Sequence, residues 1–479
     1  MQSDRLWIFL LLFLTAPAYF LTLQDGHHWG GDFAVYLQEA TNVATGEPIS
    51  AHQYTVTPRS ALNHPALYPP VPSLLLASVY AVRGVDYRAM KLILALFWWL
   101  ALPLWYLVGR RMGLSPAWAA GAILTFGFGA LPFTLKETIG SDGVYLFMSG
   151  AAVLAMLWVE DQGWTMKRPA GAAALVTGLL LLSYGTRATA VALLAAAAAN
   201  ELWRAWESGR PWRVRAYGLY LLLFLGAGVI VYTQFIYDSR SQYGTQFVID
   251  WRLYRDNFLF YLRMPAALWS SSPTLLRYAL SGLAMGCGLA ALARAWRRPT
   301  VIEFYVLLFW AMLVLYVVSD FRYGLPILLP LLLLAARLLR DYAPRPAAWA
   351  VAGLCVVGAA LNVRATINAP LAPGPHLASF REVTGFLRQA PTGTVLLSWN
   401  PRLFAYYTQQ RSALSPRTPT EWAREIPYLV KKESAKHFYL IVYQHQVDEQ
   451  QLGPYLAQAG SKLAPVFHNS DFIVYRLPN

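Results

Sequence analysis

The sequence predicts a mainly α, polytopic membrane protein with about eleven transmembrane helices, juxtamembrane helices and a small C-terminal α/β soluble domain. Three observations carry this. Of 479 residues, 57% are hydrophobic, 14% aromatic and only 13% charged, with a mean hydropathy of +0.38, which is too apolar for a soluble protein. The apolar residues are gathered in runs near the roughly 20 residues that a helix needs to span a bilayer. After Pro370 the runs shorten and polar residues return.

In chain order, the spans are read near 6 to 23, 90 to 109, 114 to 132, 143 to 159, 170 to 185, 188 to 203, 216 to 237, 273 to 293, 300 to 319, 323 to 340 and 347 to 367. The first run follows Arg5 and contains Thr15-Ala16-Pro17-Ala18, so it resembles a signal peptide; its length and the spans behind it make it an uncleaved anchor. The run 71 to 82, opened by Pro69, Pro70 and Pro72, is short for a crossing and suits an interfacial or re-entrant helix.

Orientation follows from the basic residues. If 71 to 82 does not cross, Arg110-Arg111, Lys167-Arg168, the Arg204 to Arg215 cluster, Arg294, Arg297-Arg298, Arg337, Arg340 and Arg345 share the side of the N-terminus. An excess of Lys and Arg marks cytoplasmic loops, so the N-terminus is cytoplasmic and the C-terminal domain extracytoplasmic, in a cell inner membrane. A crossing at 71 to 82 would put these loops outside and is rejected. The net charge of +14 is therefore topological, and no nucleic-acid partner is expected. Membrane lipids are the expected surroundings.

The boundary is placed at 369/370, with 1–369 as the membrane domain, including an exoplasmic loop 24–89, and 370–479 as the extracytoplasmic domain. In the latter, 394 to 398, 437 to 443 and 472 to 476 read as strands, and 377 to 389 and 447 to 459 as helices.

The same topology brings Asp32, Glu137, Asp142, Arg187 and Arg322 to exoplasmic helix ends, and ionisable residues there mark a site. Asp32, after Gly30-Gly31, fits a helix N-cap and equally a general base; Asp142, before Gly143, has the same two readings. Arg187 sits in a short turn, and Arg322 has Asp320 nearby as an ion-pair partner or is left to bind phosphate. The stretch 237 to 263, with Arg240 and Arg255, reads as an aromatic belt or a lid over a lipid-linked sugar. His64 lacks partners at metal-ligand spacing, and Cys287 and Cys355 lie inside apolar runs, so no metal or other cofactor is expected.

Together these stretches resemble the C-type glycosyltransferases that use polyprenyl-phosphate sugars, including bacterial lipid A aminoarabinose transferases and protein O-mannosyltransferases. The resemblance rests on Asp32 to Gly46, His64-Pro65-Ala66-Leu67-Tyr68-Pro69-Pro70, Ser141-Asp142-Gly143, Thr186-Arg187 and Arg322-Tyr323-Gly324-Leu325-Pro326. It departs at Phe33, where members often carry a second acid, and at Ala66, where they carry a second proline; Glu39 has the wrong spacing to replace that acid directly.

The resemblance implies an inverting transfer from a polyprenyl monophosphate donor to a lipid A, glycan or protein acceptor. Asp32 would be the base, with Glu137 and Asp142 completing the catalytic set by orienting the acceptor or Asp32. Arg187, Arg322, Arg240 or Arg255 would bind the donor phosphate, and Tyr36, His64 and Tyr68 would contact substrate. The competing reading is a transporter or flippase of lipid-linked sugars, for which repeated halves and mid-membrane charges are the expected marks. Single cysteines at positions 112 and 142 should label from opposite sides of the membrane; labelling from one side would dismantle this topology.

Overall fold

The computed structural model describes residues 2–58, 60, 67–162, 167–208, 216–231, 249–445 and 463–477. The helical pattern expected over 447 to 459 lies outside these. Each of the eleven apolar runs contains a helix among its described residues. Among them, seven helices are long and apolar enough to cross a membrane: Ser3–Phe20, Tyr87–Arg111, Asp142–Gln162, Pro169–Thr186, Thr274–Ala295, Phe321–Tyr342 and Arg345–Ile367. This is a multi-pass membrane protein. Val71–Arg83 forms a 13-residue helix, short for a crossing.

The remaining runs give shorter helices, and their ends show why. The run 114 to 132 divides into Pro116–Gly127 and Ala130–Leu135, because Gly129 turns extended between them. A Cβ there would lie 2.6 Å from a Leu268 methyl group and 2.9 Å from the Phe126 carbonyl oxygen. The break exposes a carbonyl, and the Asn362 amide donates to it, at Phe128 O, and to Leu268 O. Val301–Leu315 ends early as Tyr316 turns extended, and Asn257 donates to Val314 O and Tyr316 O. Where no water is present, each interrupted ladder needs such a partner. The stretch read as belt or lid contains the helix Trp251–Leu262; residues 237–248 lie outside the described ones.

The described residues form two compact units, one drawn from 1–23, 91–239 and 247–370, the other from 24–90 and 371–479. In the first unit, Trp98, Trp105, Tyr106, Phe126, Tyr145 and Tyr305 are buried. A Cβ on Gly143 would fall 2.3 Å from the Trp98 ring, and one on Gly150 2.7 Å from that of Trp105. Only glycine permits this approach, so Asp142–Gln162 lies hard against the tryptophans, and Trp105 donates to Leu146 O.

The second unit is built on a six-stranded sheet: β1 Tyr54–Thr55, β2 Thr394–Ser398, β3 Arg411–Leu414, β4 His437–Tyr443, β5 Ala464–His468 and β6 Phe472–Arg476. Their order is β1-β3-β2-β4-β6-β5. The first four run parallel, and β6 and β5 antiparallel. Every residue of β2 is buried, as expected of a central parallel strand covered on both faces. The three strands expected from sequence are present at the expected residues. β1 was not expected: it comes from the loop after the first helix and pairs with β3, Tyr54 opposite Ser412. Residues 24–90 therefore fold with 371–479, whereas a boundary at 369/370 assigns that loop to the membrane domain.

Candidate active site

In the second unit, Asp32 opens the helix Asp32–Thr45, with Gly31 at the cap position. It is thus the first helical residue rather than the cap. Its carboxylate is 38% exposed and faces a buried guanidinium, that of Arg402, at 3.3 Å. The Tyr68 hydroxyl donates to the same oxygen at 2.6 Å, and Arg402 donates to that hydroxyl at 2.8 Å. Arg402 also lies over the rings of Tyr54 and Tyr68, at 5.5 and 5.3 Å. Tyr36 is buried with its ring stacked on Tyr68 at 5.0 Å. Burial holds the Tyr68 phenol well above its usual range against the pull of Arg402, so it remains a donor to Asp32.

Two turns along from Asp32, Glu39 is 1% exposed. It accepts from the Tyr68 backbone N–H at 2.8 Å and from the Ser73 hydroxyl, tying its helix to the start of Val71–Arg83. Burial pushes its carboxyl up to about 8, and the hydrogen bonds and Arg402 recover only part of the shift. Phe33, at the position of a second acid in the resembled family, is buried with its ring 3.9 Å from that of His27.

In the first unit, Asp142, Arg187 and Arg322 come together. Arg187 ends the helix Pro169–Thr186 with extended backbone and donates through Nη1 to Asp142 Oδ1; Arg322 donates through Nε to Oδ2 at 2.8 Å. Asp142 is thus the first residue of Asp142–Gln162 and an ion-pair partner rather than the cap. Asp320 instead caps Phe321–Tyr342 by accepting from the Arg322 backbone N–H, so it is not the ion-pair partner of that side chain. Asp142 thus accepts from two guanidinium groups, one on each carboxylate oxygen.

Glu137 is bound by two buried lysines, Lys91 at 3.3 Å and Lys136 at 2.6 Å. Arg255 is exposed and pairs with its neighbour Asp256. His64 and Arg240 lie outside the described residues. No three His, Cys, Asp or Glu side chains among the described residues are grouped to hold a metal ion. The first unit also holds an apolar cavity of about 1360 Å³ lined by Leu14, Trp118, Leu280, Ala352 and Val356, with Arg364 among its polar residues.

Arg402 was missed from sequence, although a signal for its helix was present. Asn400-Pro401 directly after β2 is an N-cap followed by proline in the first turn, and Asn400 does accept from Leu403 N. That Arg402 pairs with a residue some 370 positions earlier has no local signal.

Glu39 gives a pH signature. In the fold its carboxyl keeps its proton to about pH 8, against an ordinary 4.5, so its contribution is complete below pH 4.5 and is lost as pH rises through 8. Thermal unfolding in detergent should show stability falling over that window in wild type, and falling less in Glu39→Gln. Identical profiles would mean that Glu39 is not held in its neutral form.

No protein-family model matches the sequence, and no curated protein matches it. Solved structures do. ArnT from Cupriavidus metallidurans, bound to undecaprenyl phosphate, superposes with a TM-score of 0.60 at 13% identity, covering 98% of both chains. The oligosaccharyltransferase AglB from Archaeoglobus fulgidus, in complex with an inhibitory peptide and a dolichol-phosphate, gives 0.59 at 11% identity over 95% of this chain and 71% of its own. The arabinofuranosyltransferase AftD from Mycobacteria gives 0.55 at 14% identity over 99% of this chain and 40% of its own. The protein thus has the C-type fold common to these membrane glycosyltransferases, as the motifs had implied.

Proposed function

We propose that the protein is an inverting glycosyltransferase that moves a sugar from a polyprenyl-phosphate carrier to an envelope lipid, glycan or protein. The reaction takes place on the extracytoplasmic side of the inner membrane, with the N-terminus in the cytoplasm. The observation that carries this reading is Asp32, a part-exposed carboxylate at the head of a helix, paired with Arg402 and oriented by Tyr68. The end-to-end likeness in fold to ArnT, solved with undecaprenyl phosphate, supports the donor class. The apolar cavity supports a lipid-linked substrate.

In the reaction, Asp32 takes the proton of the acceptor hydroxyl as its oxygen attacks the anomeric carbon. The bond to the carrier phosphate breaks and its electron pair leaves with the phosphate, which gains one negative charge. A single displacement inverts the anomeric centre. Cations are needed where this charge develops, and Arg187 and Arg322 are the proposed pair, with Arg240 and Arg255 as alternates. Asp142 fixes the geometry of that pair by accepting from both guanidinium groups. Glu137 plays the same part toward Lys91 and Lys136. His64 is kept as a substrate contact.

Purified protein should transfer sugar from at least one member of a panel of labelled polyprenyl-phosphate sugars to envelope acceptors. Asp32→Asn, folded, should be slower by about a hundredfold or more. Equal rates would place the base elsewhere. If no donor serves while a known acceptor is present, the lipid-linked transporter reading takes over.

A further inference from the structure

Asp32 lies in the wall of a cavity of about 590 Å³ within the second unit. One side is the chain from His28 to Asp32; the other is the turn Trp399 to Arg402 that follows β2. The composition is unusual for a structural void. Two half-buried indoles, Trp29 and Trp399, stand beside a carboxylate, a guanidinium and an imidazole.

The walls are rigid. Trp399 stacks on Tyr443 and on Phe472, with ring centroids at 5.6 and 6.2 Å, and Trp29 meets Trp399 edge-on at 6.3 Å. The Asn400 amide donates to the Trp29 carbonyl and fastens the two sides together. A Cβ on Gly31 would press on Asn400 Oδ1 at 3.1 Å, and one on Gly30 would strike the His28 ring at 2.5 Å. Both glycines keep the chain close enough for Asp32 to reach the cavity.

We propose that this cavity is a glycosyl subsite, which takes one sugar ring with an indole of Trp29 or Trp399 against its apolar C–H face and Asp32 and Arg402 at its hydroxyls. The chemistry is matched: a sugar ring is apolar on its faces and polar at its rim, and small-ligand sites of some 300–1000 Å³ combine aromatic walls with a few fixed polar groups. The assignment rests on the reading of Asp32 as the base. The ring belongs either to the lipid-linked donor or to a saccharide acceptor, since both present the same chemistry. The residues from 399 to 402 then set which sugar is used, apart from those that handle the phosphate.

The test uses full-length protein in detergent and a set of methyl glycosides, read by saturation-transfer NMR. At least one glycoside should show transfer to its ring protons with wild type. The signal should weaken about tenfold in Trp399→Ala and survive in Trp399→Phe. If Trp399→Ala does not fold, Trp399→Leu is read in its place. No signal from any glycoside, or equal signals from wild type and the Trp399 variant, would overturn the subsite. If Asp32→Asn retains transfer, the reading of Asp32 as base fails; the subsite is judged separately by the Trp399 variants, whose aromatic contact does not depend on the base. In transfer assays, a Trp399→Ala increase in KM for the donor alone assigns the donor's sugar, and for the acceptor alone the acceptor's; no change in either would count against the subsite.

Discussion

A charge removed from water must meet an opposite charge or give up its ionisation, and much of the arrangement of this chain follows from that requirement. Asp142 is 2% exposed and is held by Arg187 and Arg322; Glu137 is held by Lys91 and Lys136, both buried. Each cluster sets two cations around one carboxylate, so no carboxylate there is left without an opposite charge. The same rule gives the opposite result at Glu39, which has hydrogen-bond donors but only a distant cation effect, and so keeps its proton to about pH 8.

Backbone groups obey the same constraint. Asn362 and Asn257 satisfy the carbonyls released where helices stop short, so that interrupted helices persist within an apolar unit. Glycines do complementary work by letting Asp142–Gln162 approach two tryptophans, which fixes where Asp142 stands at its helix start. In the second unit, position comes from a sheet. β2 delivers the Asn400-Pro401 helix start, and that start presents Arg402 to Asp32.

What the sequence made legible was set by how local each signal is. Long apolar runs, the alternation of loops and the three strands of the C-terminal segment are patterns within a window of about ten to twenty residues, and these were readable. The break at Gly129 and the early end at Leu315 were not, because they depend on amides more than a hundred residues away in one case and about sixty in the other. β1 is two residues long and lies in a polar loop, so no periodicity could reveal it. Asp142, Arg187 and Arg322 were singled out one by one as ionisable residues at helix ends, yet nothing local said that both arginines would choose Asp142 over Asp320. Arg402 lay beyond reach for the same reason.

The central claim is a single displacement with Asp32 as base, and the product's stereochemistry tests it most directly. A donor of defined anomeric configuration would be turned over by the purified protein and the product's anomeric proton coupling read by NMR. Inversion is the expected result. Retention would require a covalent or otherwise doubly displaced intermediate, and would contradict the role given to Asp32.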